Sequence, residues 1–133
     1  MTANKGASAS QSQGRKRALI ELVTENGFHI IRACELVSAP VNVPYVHRFI
    51  VRDQFERERA VIVEFALSAR AQVERGSRRR LAPDCFFWLE CAERALAAYL
   101  WAQDTLPPGA RLVLQEVCLN ELELARCWPR ASR

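Results

Sequence analysis

Val41-Asn42-Val43-Pro44-Tyr45-Val46-His47-Arg48-Phe49-Ile50-Val51-Arg52-Asp53 is the stretch whose reading decides the fold. At helical spacing, Val46, Phe49 and Ile50 fall at i, i+3 and i+4 and make an inward face. Asn42 is a good N-cap, and Pro44 stands in the first turn, where its missing N–H does no harm. Asn42, Tyr45, His47, Arg48 and Arg52 then face outward. The pattern predicts a two-faced helix over residues 43–52.

Upstream, Leu19, Ile20, Leu22 and Val23 make a first helical stretch, ended by Asn26-Gly27. Ile30, Ala33, Cys34 and Val37 share a face of a second, broken by Ser38-Ala39-Pro40. Downstream, Asp53 is a candidate cap for a helix over 54–75, with Phe55, Ile62, Phe65, Ala66, Ala69 and Val73 inward. Gly76 ends it, and Arg78-Arg79-Arg80 follows as a basic connector. Pro83-Asp84 opens an apolar helix over 85–103, Leu106-Pro107-Pro108-Gly109 is a turn, and a last helix covers 110–127.

The expected fold is therefore all-α. It comprises a disordered arm (1–14), a helix-turn-helix-like unit (15–53), a connecting helix and basic linker (54–80), a helical hairpin for self-association or core (81–129) and a tail (130–133). A competing reading is α+β, with an N-terminal antiparallel sheet and C-terminal helices. In it Ala18–Val23 and Phe28–Leu36 pair across Glu25-Asn26-Gly27, and Val61, Val63, Phe65 and Leu67 alternate as a strand.

Composition narrows the class. Half of the 133 residues are hydrophobic and 26% are charged, which excludes a disordered chain. No apolar run reaches the ~20 residues of a membrane span, and residues 1–14 hold no apolar stretch of a secretory kind. The expectation is a cytoplasmic protein. Cys34, Cys85, Cys91, Cys118 and Cys127 are an odd set without CxxC or CxxxH spacing, so they read as reduced thiols, with no metal site or cofactor expected. Residues 1–80 carry 14 Lys+Arg against 8 Asp+Glu, and residues 81–133 carry 5 against 7. A basic front suits a polyanion and a mildly acidic back suits a protein partner.

The order ENGFHIIRACELV (residues 25–37) followed by VNVPYVHRFIVRD (41–53) resembles the helix-turn-helix N-terminal domain of phage small terminase subunits and related transposase-type units. Arg32-Ala33-Cys34-Glu35 matches that family's second helix. Val41, Asn42, Val46, His47, Phe49, Arg52 and Asp53 sit where its third helix carries its pattern. The match covers residues 15–53, and it departs at Ala39-Pro40 and at Phe28. The resemblance implies a non-enzymatic subunit that recognises double-stranded DNA and oligomerises through the helices that follow. The DNA-facing residues are then Arg15, Lys16, Arg17, Asn42, Tyr45, His47, Arg48, Arg52, Arg78, Arg79 and Arg80.

The back half permits an alternative. Phe86, Phe87, Trp88, Tyr99 and Trp101 crowd one helix, and Leu114, Val117 and Leu124 give the next a broad apolar face. Such a hairpin needs cover on nearly all sides. A homo-oligomer supplies that cover, and so does a protein partner. The alternative function is a virus- or plasmid-borne regulator or inhibitor that binds its partner through these helices. His29 and His47 accompany no nucleophile elbow, HExxH or paired carboxylate pattern, so no enzymatic activity is expected.

Overall fold

A computed structural model describes residues 21–32 and 43–129. Residues 46–52, expected as a helix, form a strand, and the fold is α+β. The described elements are β1 (Glu21–Val23), β2 (His29–Arg32), β3 (Val46–Arg52), β4 (Glu58–Phe65), α1 (Leu67–Ser77), α2 (Phe86–Gln103), β5 (Arg111–Leu114) and α3 (Leu119–Arg126). The strands make one sheet in the order β1-β2-β3-β4-β5. The first four form an antiparallel meander, and β5 lies parallel to β4 because two helices intervene in the connection.

The helix-turn-helix expectation fails on the β3 span for a physical reason. Apolar residues at i, i+3 and i+4 also fit a strand that carries them on both faces. Val46, Ile50 and Val51 are β-branched, with stiff side chains that suit a pleated surface. The cross-strand pairs Phe49 with Val61 and Val51 with Arg59 complete the ladder. With strands at 29–32 and 46–52, there is no tri-helical unit to enter a DNA groove, and the resemblance to small terminase subunits falls with it. Of the Arg-Ala-Cys-Glu match, only Arg32 lies among the described residues.

The competing α+β reading is the better one. The β1–β2 hairpin turns at Asn26-Gly27, where Gly27 takes φ +98°, a conformation that suits glycine. The predicted helix over 54–75 is a tight turn, then β4, then α1. Asp53 is the organiser of that turn: its carboxylate accepts from the backbone N–H of Phe55 at 2.8 Å and of Arg57 at 3.0 Å. These bonds and the Arg57 guanidinium hold its carboxyl below the usual range. The last predicted helix, 110–127, is split into β5 and the shorter α3.

Alternation assigns the two faces of the sheet. Ile30, Phe49, Val51, Val61, Val63 and Phe65 are buried on one side, beneath Phe87, Trp88, Cys91, Ala92, Leu96 and Leu100 of α2 and Ala69 and Val73 of α1. The ring of Phe65 meets that of Trp88 at 5.0 Å and 71°, and Trp88 meets Tyr45 at 5.1 Å. Two bidentate ion pairs fix the helices. Arg32 of β2 reaches Glu93 of α2 at 2.8 and 3.1 Å, and Arg94 of α2 reaches Glu121 of α3 at 2.7 and 2.8 Å. No helix among the described residues is long and apolar enough to cross a membrane.

Phe65 sits at the middle of this layering, so its truncation tests the fold. Phe65→Ala is expected to lower stability by about 3–5 kcal/mol through the cavity it leaves. Urea denaturation followed by tryptophan fluorescence measures the loss. A change below 1 kcal/mol means that the β4–α2 packing described here is wrong.

Candidate protein-docking groove

Asn26, at the tip of the β1–β2 hairpin, is the residue that builds the most suggestive surface. Its Nδ2 donates to the carbonyl of Leu100 at 2.9 Å and to Asp104 Oδ1 at 3.0 Å. That carbonyl also accepts the N–H of Asp104, the C-cap of α2, at 2.9 Å. Gln54 adds a bond to the Asn26 carbonyl at 2.7 Å. Within the turn, Thr24 Oγ1 accepts from the Phe28 N–H at 3.0 Å and donates to Asn26 Oδ1 at 2.6 Å. The first hairpin is thereby pinned to the C-terminal end of α2, and β1 runs beside the last turns of that helix.

Between them lies a shallow groove of about 390 Å3, with Leu22, Val23 and Glu25 on one side and Ala97, Ala98 and Trp101 on the other. The two alanines leave the space open. Trp101 is 55% exposed and Val23 is 53% exposed. Phe86, further back along α2, is 50% exposed, with the Arg32 guanidinium 5.0 Å from its ring centre. Glu25 is exposed and makes no ion pair with any described residue. Among the described residues β1 is the end of the sheet, with β2 as its only strand neighbour.

A larger hollow, about 750 Å3, opens between the β3–β4 turn and the loop after α2, over Phe28 and Val51. Its polar groups are largely engaged with one another. Asp104 accepts from Asn26 and Gln54, Asp53 pairs with Arg57 at 2.9 Å, and Glu58 pairs with Arg52 at 3.2 Å. It is a space left between two loops, whereas the smaller groove combines a sheet edge, small residues and an exposed tryptophan.

The residues expected to read DNA do not share a face. Arg15, Lys16, Arg17 and Asn42 lie outside the described residues, as do Cys34 and the two end segments. A strand sends alternate side chains to opposite sides. His47 therefore points under the helices, while Arg48 and Arg52 point away from them. Tyr45, just before β3, packs on Trp88 and beneath the Arg70 guanidinium, 4.4 Å away. Arg52 is paired with Glu58, and with Glu21 at 3.8 Å. The arginine run is divided too. Arg79 caps α3 through the carbonyls of Ala125 at 3.0 Å, Arg126 at 3.3 Å and Trp128. Arg80 pairs with Glu74 at 3.0 Å, and Arg78 is the exposed C-cap of α1.

The expected interface residues also divide. Phe87 and Trp88 belong to the core, and the Trp88 Nε1–H donates to the Ala82 carbonyl at 3.0 Å. Tyr99, Leu114 and Val117 are half-buried, and Phe86, Trp101 and Leu124 are exposed. Leu22, Val23, Glu25, Ala97 and Ala98 had no place among the expected site residues. Their signal in the sequence is the Asn26-Gly27 turn, which makes 21–23 a strand, and the adjacent alanines.

Catalytic groups are not assembled at the groove. The Cys91 thiol is buried and pushed well up from its ordinary range, first by burial and then by the Glu121 carboxylate. Among the described residues no group of three His, Cys, Asp or Glu could hold a metal ion. Comparison with protein-family models, curated proteins and solved structures returns no match for this chain.

His47 offers a check on the inward face of β3. Its Nε2 is buried without a hydrogen-bond partner, and burial lowers its pKa from 6.5 to about 4. The stability from keeping it neutral is complete above pH 6.5, where unfolded histidine is also neutral. It is lost as pH falls from 6.5 towards 4, because only the unfolded chain takes up the proton. Between pH 7.5 and 4.5, wild type should lose roughly 2 kcal/mol more than His47→Phe, after allowance for partial exposure. Urea midpoints at both pH values measure this, and parallel losses place the ring in solvent.

Proposed function

We propose that this chain is a non-catalytic protein-interaction module that binds its partner along the β1–α2 flank. The carrying observation is Trp101, standing in solvent in the last turn of α2 beside an alanine-floored groove and a sheet edge that pairs with no other described strand. A monomeric domain normally buries most of a tryptophan, and tryptophan is among the residues that dominate binding energy at interfaces. Leu22 extends the apolar surface across the groove. This agrees with the expectation of a partner bound through the apolar C-terminal helices, and moves the contact to the flank of one helix.

The non-catalytic reading is supported by the state of the candidate groups. Cys91 is held as a buried thiol, His47 is a half-buried ring under the helices, and His29 is paired with Glu21 on the opposite face of the sheet. None of the three lies in the groove.

A photo-reactive residue placed at Ala98 tests the reading in cells that naturally carry the protein. The expected result is one dominant adduct, lost in Trp101→Glu, with no such adduct from a probe at Arg75 on α1. For the purified pair, Trp101→Glu should weaken binding by at least ~2 kcal/mol, roughly 30-fold. Equal labelling from both positions, or an adduct indifferent to Trp101, overturns the assignment.

A further inference from the structure

We infer that the occupant of this groove is an extended segment of a partner protein, which adds to the free edge of β1 as a sixth strand and places one large apolar side chain between Leu22, Ala97, Ala98 and Trp101. The inference rests on the protein-interaction reading above and names the partner's conformation and chemistry.

Backbone phase along the first hairpin carries it. Hydrogen-bonded and non-hydrogen-bonded pairs alternate along an antiparallel ladder. The Thr24 N–H donates to the Phe28 carbonyl at 2.8 Å, and the register continues with Val23 opposite His29, Leu22 opposite Ile30 and Glu21 opposite Ile31. Leu22 is therefore the residue that exchanges bonds with β2. Glu21 and Val23 turn their N–H and C=O groups the other way, to the outer edge. Two donors and two acceptors stand there with no partner strand among the described residues, spaced to receive another strand, as in recognition by strand addition.

Side-chain alternation then sets the partner's pattern. Leu22 points to the α2 side and packs against the core. The partner residue beside it points the same way, about 4.8 Å further out, into the groove bounded by Ala97, Ala98 and Trp101. Its immediate neighbours point to the opposite face of the sheet, so a single deep anchor is demanded. The rim adds a charge requirement. Glu25 carries a carboxylate with no ion-pair partner among the described residues where the groove ends, so a Lys or Arg on the partner, outside the anchor position, complements it. The occupant is an extended, proline-free segment with one large apolar anchor and one base.

The other edge of the sheet offers no equivalent. Beyond β5 the chain is strapped to α1, where Gln72 donates to the Val117 carbonyl at 3.0 Å and accepts from the Val117 N–H at 2.8 Å. Ser68 holds the Gln115 carbonyl at 2.8 Å. No groove with an exposed aromatic runs beside it among the described residues.

The test uses the full chain and a displayed library of random decapeptides, with the enriched peptide synthesised for titration. The expected peptide has the stated pattern, and its addition protects the Glu21 and Val23 amides from hydrogen exchange. Val23→Pro should weaken it about tenfold, the effect of one lost hydrogen bond. That variant removes an outward N–H without removing a bond to β2, and proline is accepted on a strand edge of this kind. The same peptide N-methylated at its pairing residues, titrated against the unchanged chain, should bind equally poorly. Binding that needs Trp101 but ignores Val23→Pro and N-methylation keeps the docking flank and overturns strand addition. Binding indifferent to Trp101→Glu overturns both. Failure to select any extended peptide overturns the inference, as does a stable dimer whose Glu21 and Val23 amides are already protected.

Discussion

The edge-on contact of Phe65 with Trp88 holds the two layers of this protein together. Phe65 ends the longest strand, beside both β3 and β5, and Trp88 lies in the first turn of α2. Around them Tyr45, His47, Phe87 and Trp128 close an aromatic cluster whose rings meet near right angles. That geometry sets the positive edge of one ring against the negative face of another. Once Phe65 is under Trp88, the alternation of β3 and β4 dictates which residues are inside. The ion pairs Arg32–Glu93 and Arg94–Glu121 then fix the rotation of α2 about its own axis, because each bidentate pair accepts only one orientation of guanidinium and carboxylate.

That rotation shapes the proposed docking flank. With Leu96 and Leu100 turned to the core, Trp101 and Ala98 have nowhere to go but outward. The hairpin tip at Asn26 brings β1 alongside them. The alanines make the groove by being small. An apolar helix that looked in need of cover on all sides is largely covered by its own sheet. Of the arginines expected to face DNA, Arg79 closes the end of α3, and Arg52 pairs with the carboxylates of Glu21, Glu56 and Glu58.

The sequence carried more of the fold than the all-α reading took from it. The Asn26-Gly27 turn and the alternation of Val61, Val63 and Phe65 both pointed to strands. The apolar run from Phe86 and the break at Pro107-Pro108 located α2 correctly. The error lay in β3, where apolar residues on both faces of a strand imitate the i, i+3, i+4 pattern of a helix. Periodicity could not separate the two, since seven residues are too few to distinguish a period of 3.6 from a two-sided period of 2. The β-branched content of that stretch was the better guide.

What residue order determined by itself was local: where the chain turns, that residues 86–103 prefer a helix, and that there is enough apolar surface for a packed core. Which side of α2 is buried, which strand ends the sheet, and whether Arg52 meets solvent or a carboxylate were decided by tertiary contacts. The physical reason is that a strand's partners are remote in sequence. Among the described strands, Glu21 and Val23 stand at the sheet's end only because β3 pairs with the other side of β2, and Trp101 gains β1 as its neighbour only because Asn26, 74 residues from Leu100, bonds to that carbonyl.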